Sequence, residues 1–362
     1  MTKSIKGLCG IPLIEALSLE FGPSGCEDRV RELIKSAAEP LADKTVVDRM
    51  GNLICRMSFG KSDVKTKIMI SAHMDEVGFM IDAIRSDGML TFGCVGGMDP
   101  SVLAGRKITI EGKEGLIGGV ICSKAIHHKD KEERERALKA DKLYIDIGVS
   151  EKEEAEKLVG IGAFATFNSE FYCFGKDQRS VKGKALDDRM GCAAMLEIMS
   201  EFKKKPPNIE ADVYFCFTVR EEIGYSGADA AARRIDPDLS IVLETTAISD
   251  RPDTEPHRRV ADVGGGAAIS VADRSTIYDR ELVDLALELG RAKGIKAQSK
   301  RYVSGGNDAG HIHKVLTGIK VLAVSVPTRY LHSPACVACI DDYEAVRDLA
   351  AALIKTYKRR EL

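Results

Sequence analysis

The chain has 362 residues, of which 44% are hydrophobic and 30% charged, and its 53 basic and 55 acidic residues leave a formal net charge of −2. This composition is typical of a folded globular protein and excludes a disordered chain. The balanced charge predicts no binding of nucleic acid or of a membrane surface, and the length suits one large domain with a smaller one.

The N-terminal segment predicts a helix and not a secretion signal. Lys3 and Lys6 precede an apolar stretch, but Glu15 interrupts it and no small-residue cleavage site follows. No apolar run is long enough to span a bilayer. Ten cysteines without a signal sequence indicate a reducing compartment, so we expect a cytoplasmic protein. Cys336 and Cys339 have redox or zinc-ribbon spacing, but a single such pair predicts ordinary buried thiols.

The first 77 residues predict two helices followed by strands. Apolar residues at helical spacing indicate one helix over Ile11–Leu19, ended by a cluster of turn-forming residues, and another over Glu27–Ala38. Strand-like segments follow at Thr45–Val47, Leu53–Met57 and Lys67–Ser71. The last strand leads directly into the first segment that carries candidate ligands.

A β-rich module is predicted over residues 78–164, inserted into an α/β domain. Short strands separated by glycines are expected at Phe79–Ile84, Met89–Phe92, Lys107–Ile110, Leu116–Ile121 and Leu143–Gly148. The charged stretch Lys129–Lys142 predicts a short helix with a solvated face, and Ser150 with Glu153 has capping-box spacing for the next helix. Regular short strands of this kind predict a small barrel-like domain.

After residue 165 the alternation of helices and strands returns. Helices are expected at Arg189–Phe202, Tyr225–Arg233, Tyr278–Gly294 and Asp341–Lys358. Strands are expected at Asp212–Val219, Leu239–Glu244 and Val321–Val326. The pattern predicts an α/β fold with a mixed sheet and helices on both faces, in which residues 1–77 and 165–362 form one catalytic domain.

Candidate ligands stand at the ends of predicted strands, where open α/β sheets place their sites. His73 and Asp75 face the same way on an extended chain, so Asp75 can orient the imidazole of a metal-ligating His73. The alternative is a hydrogen-bonded histidine without a metal. Asp187 and Asp188 precede a predicted helix; Asp188 can cap it while Asp187 turns inward, although a simple N-cap role for Asp187 fits the same position.

Two adjacent carboxylates, Glu221 and Glu222, follow an apolar strand, where burying unpaired charge is costly. If they point to different sides, Glu222 can hold a metal while Glu221 faces the attacking water; an exposed acidic turn is the alternative. Glu244 and His332 each follow a buried strand. These segments together supply two histidines and three carboxylates, a donor set for two divalent ions with a bridging carboxylate, and leave Glu221 as a general base.

Five segments of the sequence match a known family. They are AHMDEVGF (Ala72–Phe79), KALDDRMG (Lys184–Gly191), TVREEIGYSGA (Thr218–Ala228), GGNDAG (Gly305–Gly310) and PTRYLHSP (Pro327–Pro334). Through them the chain resembles the tetrahedral (TET) aminopeptidases, a metallopeptidase group that includes glutamyl aminopeptidases and proteins once called deblocking aminopeptidase or cellulase M. The resemblance covers nearly the whole chain.

The resemblance implies a hydrolase that removes N-terminal residues from short peptides with two divalent ions, zinc first and cobalt or manganese as alternatives. The implied ligands are His73, Asp187, Glu222, Glu244 and His332. His73 and Glu244 would share one ion, Glu222 and His332 the other, and Asp187 would bridge them.

The resemblance also implies roles outside the ligand set. Glu221 would be the general base that activates the water between the ions, and Asp75 would orient His73. The inserted module would be a PDZ-like dimerisation domain, and the dimers of such enzymes assemble into a hollow, twelve-subunit tetrahedron. Glu244 departs from the family pattern, because many relatives carry Asp there.

Two other functions remain open from the sequence. Paired carboxylates can hydrolyse glycosides, but that chemistry needs no metal and leaves His73 and His332 without a role. A non-catalytic, peptide-binding shell protein would keep the fold without turnover, and the presence of Glu221 argues against it. The preferred N-terminal residue of the substrate is not indicated by any segment.

Overall fold

The computed structural model describes residues 4–128, 130–132, 137–250 and 253–358. The principal α-helices in these ranges are α1 (Ile11–Leu19), α2 (Asp28–Ala38), α3 (Lys152–Leu158), α4 (Leu186–Lys204), α5 (Ser226–Ile235), α6 (Arg280–Lys293), α7 (Ala309–Ile312) and α8 (Ile340–Thr356). The strands are β1 (Lys44–Val47), β2 (Leu53–Phe59), β3 (Thr66–His73), β4 (Gly78–Ile84), β5 (Leu90–Val95), β6 (Lys107–Gly112), β7 (Gly115–Cys122), β8 (Tyr144–Asp146), β9 (Phe164–Phe167), β10 (Tyr172–Phe174), β11 (Ser180–Gly183), β12 (Ala211–Thr218), β13 (Leu239–Ala247), β14 (Ala267–Ile269), β15 (Ala297–Ser299), β16 (Lys320–Arg329) and β17 (Cys336–Cys339). None of the helices in the described ranges has the length and apolar content needed to cross a bilayer.

Eleven strands of the described chain form one mixed sheet. Its main order is β1-β2-β12-β3-β13-β16-β17-β11-β10, and β14 and β15 extend from β16. The central strands β12, β3, β13 and β16 are parallel. Strands β13 and β16 are buried along nearly their whole length, so both faces of the sheet are covered, because successive residues of a strand face opposite sides. The predicted α/β fold with a mixed sheet is confirmed, and the ends of four parallel strands lie together at one edge.

Six strands of the described chain close into a barrel in the order β4-β5-β8-β7-β6-β9. In sequence they lie between β3 and β10; five of them fall within the predicted module, residues 78–164, whereas β9 begins at its last residue and extends to Phe167. Phe79 packs edge-to-face against Phe92 and Phe167, with ring centroids 5.1 and 5.3 Å apart. The barrel therefore has an apolar core of its own, distinct from that of the sheet. The short helix predicted within Lys129–Lys142 falls partly on residues 129 and 133–136, which lie outside the described residues.

Some local predictions are wrong or incomplete. The capping box is wrong: α3 begins at Lys152 after Glu151, so Ser150 stands too early, and no described side chain caps the first turn. Helix α4 is assigned from Leu186, but Asp187 and Asp188 have non-helical backbone angles, so its regular part follows them, in agreement with the predicted start at Arg189. Strands β9, β10, β11, β14, β15 and β17 are not predicted, because their three or four residues are too few to show a clear alternation. Pairing with neighbouring strands, and not local sequence, defines them.

A buried ion pair joins the segment after β3 to the segment before α4. The Lys184 ammonium lies 2.6 Å from the Glu76 carboxylate and donates to the carbonyl oxygen of Glu20 at 3.1 Å. Glu76 also accepts a hydrogen bond from the Thr166 hydroxyl of β9 at 2.7 Å. The pair therefore links the sheet to the barrel next to two of the candidate ligand segments.

Replacing Lys184 by methionine is expected to lower the free energy of unfolding by about 3 kcal/mol, because the buried Glu76 carboxylate then loses its main counter-ion. Urea unfolding followed by circular dichroism measures the change. Lys203→Met removes the same charge from an exposed position of α4 and serves as the control, with an expected effect below about 0.5 kcal/mol. Equal effects of the two substitutions would contradict a stabilising role for the buried pair.

Candidate active site

Strand ends and one helix start deliver the candidate ligands to one edge of the sheet. His73 is the last residue of β3, and Glu244 lies in β13. Glu222 stands in the turn after β12, His332 follows β16, and Asp187 comes from the first turn of α4. Because the four strands are parallel neighbours, these five residues, which we call the ligand cluster, meet despite their separation in sequence.

Asp187 lies between the two histidines. Its Oδ1 is 3.2 Å from Nε2 of His73, and its Oδ2 is 3.5 Å from Nε2 of His332. On one side, Oε1 of Glu244 is 3.5 Å from Nε2 of His73. On the other, Oε2 of Glu222 is 3.2 Å from Nε2 of His332. The cluster thus consists of two groups, each with ligand atoms within 4.8 Å of one another, and Asp187 belongs to both.

The spacing of these atoms fits divalent metal ions. A tetrahedral ion with nitrogen and oxygen ligands at about 2.0–2.2 Å holds neighbouring ligand atoms about 3.3–3.6 Å apart. The four His–carboxylate separations run from 3.2 to 3.5 Å. Imidazole nitrogen and carboxylate oxygen are donors that zinc, cobalt and manganese accept. Each group could therefore close around one cation with little movement of its side chains.

Both imidazole rings direct Nε2 toward the cluster. Nδ1 of His73 lies 3.1 Å from the carbonyl oxygen of Asp75, and Nδ1 of His332 lies 2.5 Å from that of Gly97. A carbonyl oxygen only accepts, so in the neutral rings Nδ1 carries the proton and Nε2 keeps its lone pair. Contacts of this kind orient metal-ligating histidines. Gly97 lies in the loop between β5 and β6, so the barrel contributes to the site.

Asp75 connects His73 to the turn that carries the two glutamates. Its carboxylate lies 3.4 Å from Nδ1 of His73. The same carboxylate accepts the backbone N–H groups of Glu221 and Glu222, each at 3.1 Å, and the hydroxyl of Ser24. The contact with the imidazole agrees with the predicted orientation of His73. The bonds to the turn and to Ser24 have no local sequence signal, because the partners are far apart in the chain.

The expected divergence of Glu221 and Glu222 is wrong. Arg220 has a φ of 59°, so the chain leaves the extended conformation and turns immediately after β12. A carboxylate oxygen of each glutamate lies within 4.8 Å of a ring nitrogen of His73. Both side chains are largely buried, which excludes an exposed acidic turn. The turn therefore places both carboxylates close to the His73 ring.

Asp188 caps helix α4, which leaves Asp187 available to the cluster. Oδ1 of Asp188 accepts the backbone N–H of Gly191 at 3.0 Å. Both aspartates have non-helical backbone angles at the start of the helix. A simple N-cap role for Asp187 is therefore wrong, and the inward orientation considered from the sequence is found.

The site carries more negative charge than its histidines neutralise. Burial, together with the charge of Asp187, raises the pKa of Glu222 and of Glu244 to about 8. Burial disfavours the charged form of His332, but its contacts with Asp187 and Glu222 raise its pKa to about 9. Metal binding at these carboxylates is therefore expected to release protons.

The Glu221 carboxylate also lies near His73, but Glu221 belongs to neither of the two groups that contain Asp187. Burial raises the pKa of its carboxyl well above the ordinary value. With Asp187, Glu222 and Glu244 it makes up what we call the site carboxylates. All four line a cavity of about 360 Å³, which is large enough for an amino-acid residue beside the cluster.

Sequence reasoning missed several residues of the cavity wall. Tyr225 follows the two glutamates, and its ring lies 4.9 Å from that of His311. Asn307 also lines the cavity; it belongs to the GGNDAG segment, which matches the family but indicates no role for this residue. Lys300 stands in no motif and also lines the cavity. Strand ends in the sequence indicate candidate ligands. They do not indicate the side chains that loops bring into the wall of the same cavity.

A family model described as M42 glutamyl aminopeptidase matches residues 51–349. The chain belongs to this family. The matched range contains every residue of the ligand cluster and Glu221. As a member of the M42 family, the chain is a peptide-bond hydrolase of the aminopeptidase type, and membership of a metallopeptidase family implies divalent metal ions.

Solved structures and curated relatives of the M42 family are similar over nearly the whole length. A TET aminopeptidase from the marine sediment archaeon Thaumarchaeota archaeon SCGC AB-539-E09 is 33% identical, with 96% of each chain covered and a TM-score of 0.91. The TET1 peptidase of Pyrococcus horikoshii, which can assemble into a tetrahedron or a large octahedral shell, is 32% identical, with 96% of this chain and 99% of that chain covered and a TM-score of 0.85. The lysyl aminopeptidase of Pyrococcus furiosus is 29% identical over 343 residues, which cover 93% of this chain and 94% of the relative.

Proposed function

We propose that this M42 peptidase is a two-metal aminopeptidase that removes N-terminal residues from short peptides. His73 and Glu244 would hold one divalent ion, Glu222 and His332 would hold the other, and Asp187 would contribute to both sites. The observation that carries this proposal is the position of Asp187, whose two oxygens face two different histidines at 3.2 and 3.5 Å. A bridging ligand needs one oxygen for each ion, and the two carboxylate oxygens of Asp187 meet this requirement.

Divalent ions held by these residues would supply Lewis-acid polarisation of the scissile carbonyl and would lower the pKa of the attacking water. Glu221 accepts the proton of that water, because it is the carboxylate of the site that neither ligand group uses. After cleavage the same carboxyl returns the proton to the leaving amine. Asp75 positions both the candidate ligand His73 and the general base, since its carboxylate contacts the imidazole and accepts the backbone N–H groups of Glu221 and Glu222.

The ligand set favours zinc, with cobalt or manganese as alternatives, because it offers imidazole nitrogen and carboxylate oxygen without thiolate. Ten free cysteines support a reducing, cytoplasmic location. Residues 1–77 and 165–362 form the catalytic domain, and residues 78–164 form a PDZ-like dimerisation domain. The similarity to TET peptidases supports assembly of the dimers into a twelve-subunit tetrahedron.

A metal-free glycoside hydrolase has less support. That chemistry requires two carboxylates across a sugar-binding cleft and gives no role to a histidine. Here each histidine directs Nε2 at carboxylates and has Nδ1 at a backbone carbonyl oxygen. This arrangement suits metal ligation.

Removal of metal ions by a chelator is expected to lower hydrolysis of aminoacyl chromogenic substrates at least about 100-fold, since Lewis-acid activation contributes several kcal/mol. The assay uses a panel of aminoacyl p-nitroanilides, and zinc, cobalt and manganese are added back separately. Carboxymethyl cellulose serves as the control substrate. Peptidase activity that survives complete metal removal would contradict the two-metal proposal, and metal-independent cleavage of cellulose would support the glycosidase.

A further inference from the structure

Tyr225 closes the turn that carries Glu221 and Glu222. Its backbone N–H donates to the carbonyl oxygens of Arg220 at 3.0 Å and of Glu221 at 3.2 Å. Its φ of 61° lies in the left-handed region, which a bulky residue rarely adopts and which glycine adopts without strain. Strained backbone positions of this kind concentrate at functional sites. An aromatic side chain at this position therefore needs an explanation beyond the shape of the turn.

The Tyr225 side chain lines the cavity beside the site carboxylates. Its ring packs on that of His311, with a centroid distance of 4.9 Å and an interplanar angle of 32°. The hydroxyl forms no hydrogen bond with any residue that the structure describes. Burial, followed by the charge of Glu221, raises the pKa of Tyr225 to about 12, so the hydroxyl keeps its proton. The side chain is therefore a neutral hydrogen-bond donor without a partner in the described chain.

The backbone at Gly306 leaves room for the Tyr225 hydroxyl. A Cβ atom at Gly306 would lie 3.3 Å from that oxygen and 3.2 Å from Oγ of Ser275, both closer than ordinary contacts. Gly306 lines the same cavity. A side chain at this position would push the hydroxyl away, and the glycine keeps it free to meet a ligand.

Two other uncharged donors of the cavity wall are less suited to contact a ligand. The Asn307 amide donates to the Tyr278 hydroxyl at 3.1 Å, and its carbonyl oxygen accepts the backbone N–H of Ala309 at 2.9 Å. The Thr245 hydroxyl has no partner, but it is closed off from solvent. Tyr225, by contrast, is only half-buried, so its unpartnered hydroxyl can reach a bound substrate.

We propose that Tyr225 is a further catalytic residue, whose hydroxyl donates a hydrogen bond to the carbonyl oxygen of the scissile bond as negative charge develops there. The inference rests on the proposed function, because it places the scissile bond within reach of both Glu221 and Tyr225. Attack by water forms a new C–O bond, transfers a water proton to Glu221 and moves the π pair of the carbonyl onto its oxygen. Tyr225 keeps its own proton. A positioned donor of this kind stabilises the transition state more than the substrate.

The first test is Tyr225→Phe, assayed with the metal-loaded enzyme on the aminoacyl p-nitroanilide that the parent hydrolyses fastest. Phenylalanine keeps the ring beside His311 and removes the hydroxyl alone. We expect kcat to fall about 100-fold, the usual effect of losing one oxyanion donor, while KM changes by less than about threefold. Tyr172→Phe is the matched control, because it makes the same change on a half-exposed ring of the edge strand β10, and it should retain the parent kinetics.

A binding measurement tests the same contact without turnover. The phosphonic acid analogue of the amino acid in that anilide mimics the tetrahedral carbon, whereas the free amino acid is a product. Calorimetry should show the analogue binding about 100-fold more weakly to Tyr225→Phe than to the parent, and the free amino acid changing by less than about twofold. Metal content and circular dichroism establish that each variant is loaded and folded.

Gly306→Ala provides a variant that displaces the hydroxyl without removing it. We expect it to lower kcat about tenfold in the parent, but by less than about twofold in the Tyr225→Phe background, where the close contact with the oxygen no longer exists. Equal effects in the two backgrounds would contradict the inference.

Three further results would overturn the inference. The first is an unchanged kcat in Tyr225→Phe. The second is a rise in KM alone, which would assign Tyr225 to substrate binding. The third is a much larger loss for an aminoacyl alkylamide than for the anilide, which would make Tyr225 the proton donor to the leaving amine. Each of these outcomes leaves the aminopeptidase proposal intact. Absence of hydrolysis of any aminoacyl substrate by the metal-loaded parent would instead overturn the proposed function itself.

Discussion

Replacing Glu221 by glutamine is expected to lower kcat about 100- to 10,000-fold, the usual contribution of a general base. Glutamine keeps the size of the side chain but cannot accept the proton of the attacking water. The ligand cluster does not include Glu221, so both metal ions should remain bound. Steady-state kinetics on an aminoacyl p-nitroanilide and metal quantification by mass spectrometry measure the two effects separately.

The control for this experiment is Glu288→Gln, which makes the same chemical change at an exposed position of α6. It should retain full activity. If Glu221→Gln retained full activity with two ions bound, the general-base role would have to be abandoned. If the variant lost its metal ions, Glu221 would be a ligand, and the assignment of the two groups around Asp187 would need revision.

Replacing Asp187 by alanine is expected to abolish measurable activity, a loss of at least about 1000-fold or about 4 kcal/mol of transition-state stabilisation. Asp187 contributes one oxygen to each group, at 3.2 Å from His73 and 3.5 Å from His332. Its removal therefore weakens both ion sites at once. Equilibrium dialysis against zinc should show loss of both bound ions, with measured stoichiometry well below that of the parent.

Glu244→Ala provides the comparison, because Glu244 belongs to one of the two groups. It should weaken the ion held with His73 and spare the ion held by Glu222 and His332. A parent stoichiometry of one ion would contradict the bridging role. So would an Asp187→Ala variant that loses no more metal than Glu244→Ala.

Much of the fold and of the site could be predicted from local sequence. Helix α1 matches its predicted bounds, and the long strands β3, β12, β13 and β16 are found where apolar runs indicate them. Long periodic segments are reliable because burial repeats over many residues. Cys336 and Cys339 are buried free thiols in β17, as a single pair of that spacing predicts.

Other features depend on contacts between distant segments. Glu221 and Glu222 were expected to diverge, but the positive φ of Arg220 turns both carboxylates toward His73. Asp75 holds that turn through bonds to residues 146 and 147 positions away in the chain, and no local pattern indicates them. Lys300 lines the cavity because the β14–β15 pair lies beside β16, and the strand that precedes it has only three residues.

The amino-acid sequence by itself determined the chemistry available to this protein: which residue types can ligate metal ions, which carboxylates stand near them in the chain, and which strands end beside them. These follow from residue type and from periodicities that act over a few residues. The tertiary structure alone decided which atoms meet. The division of the candidate ligands into two groups around Asp187 and the contacts of the two histidines with the carbonyl oxygens of Asp75 and Gly97 both arise where parallel strands bring remote segments together. Distances across a sheet are not encoded in any short stretch of chain.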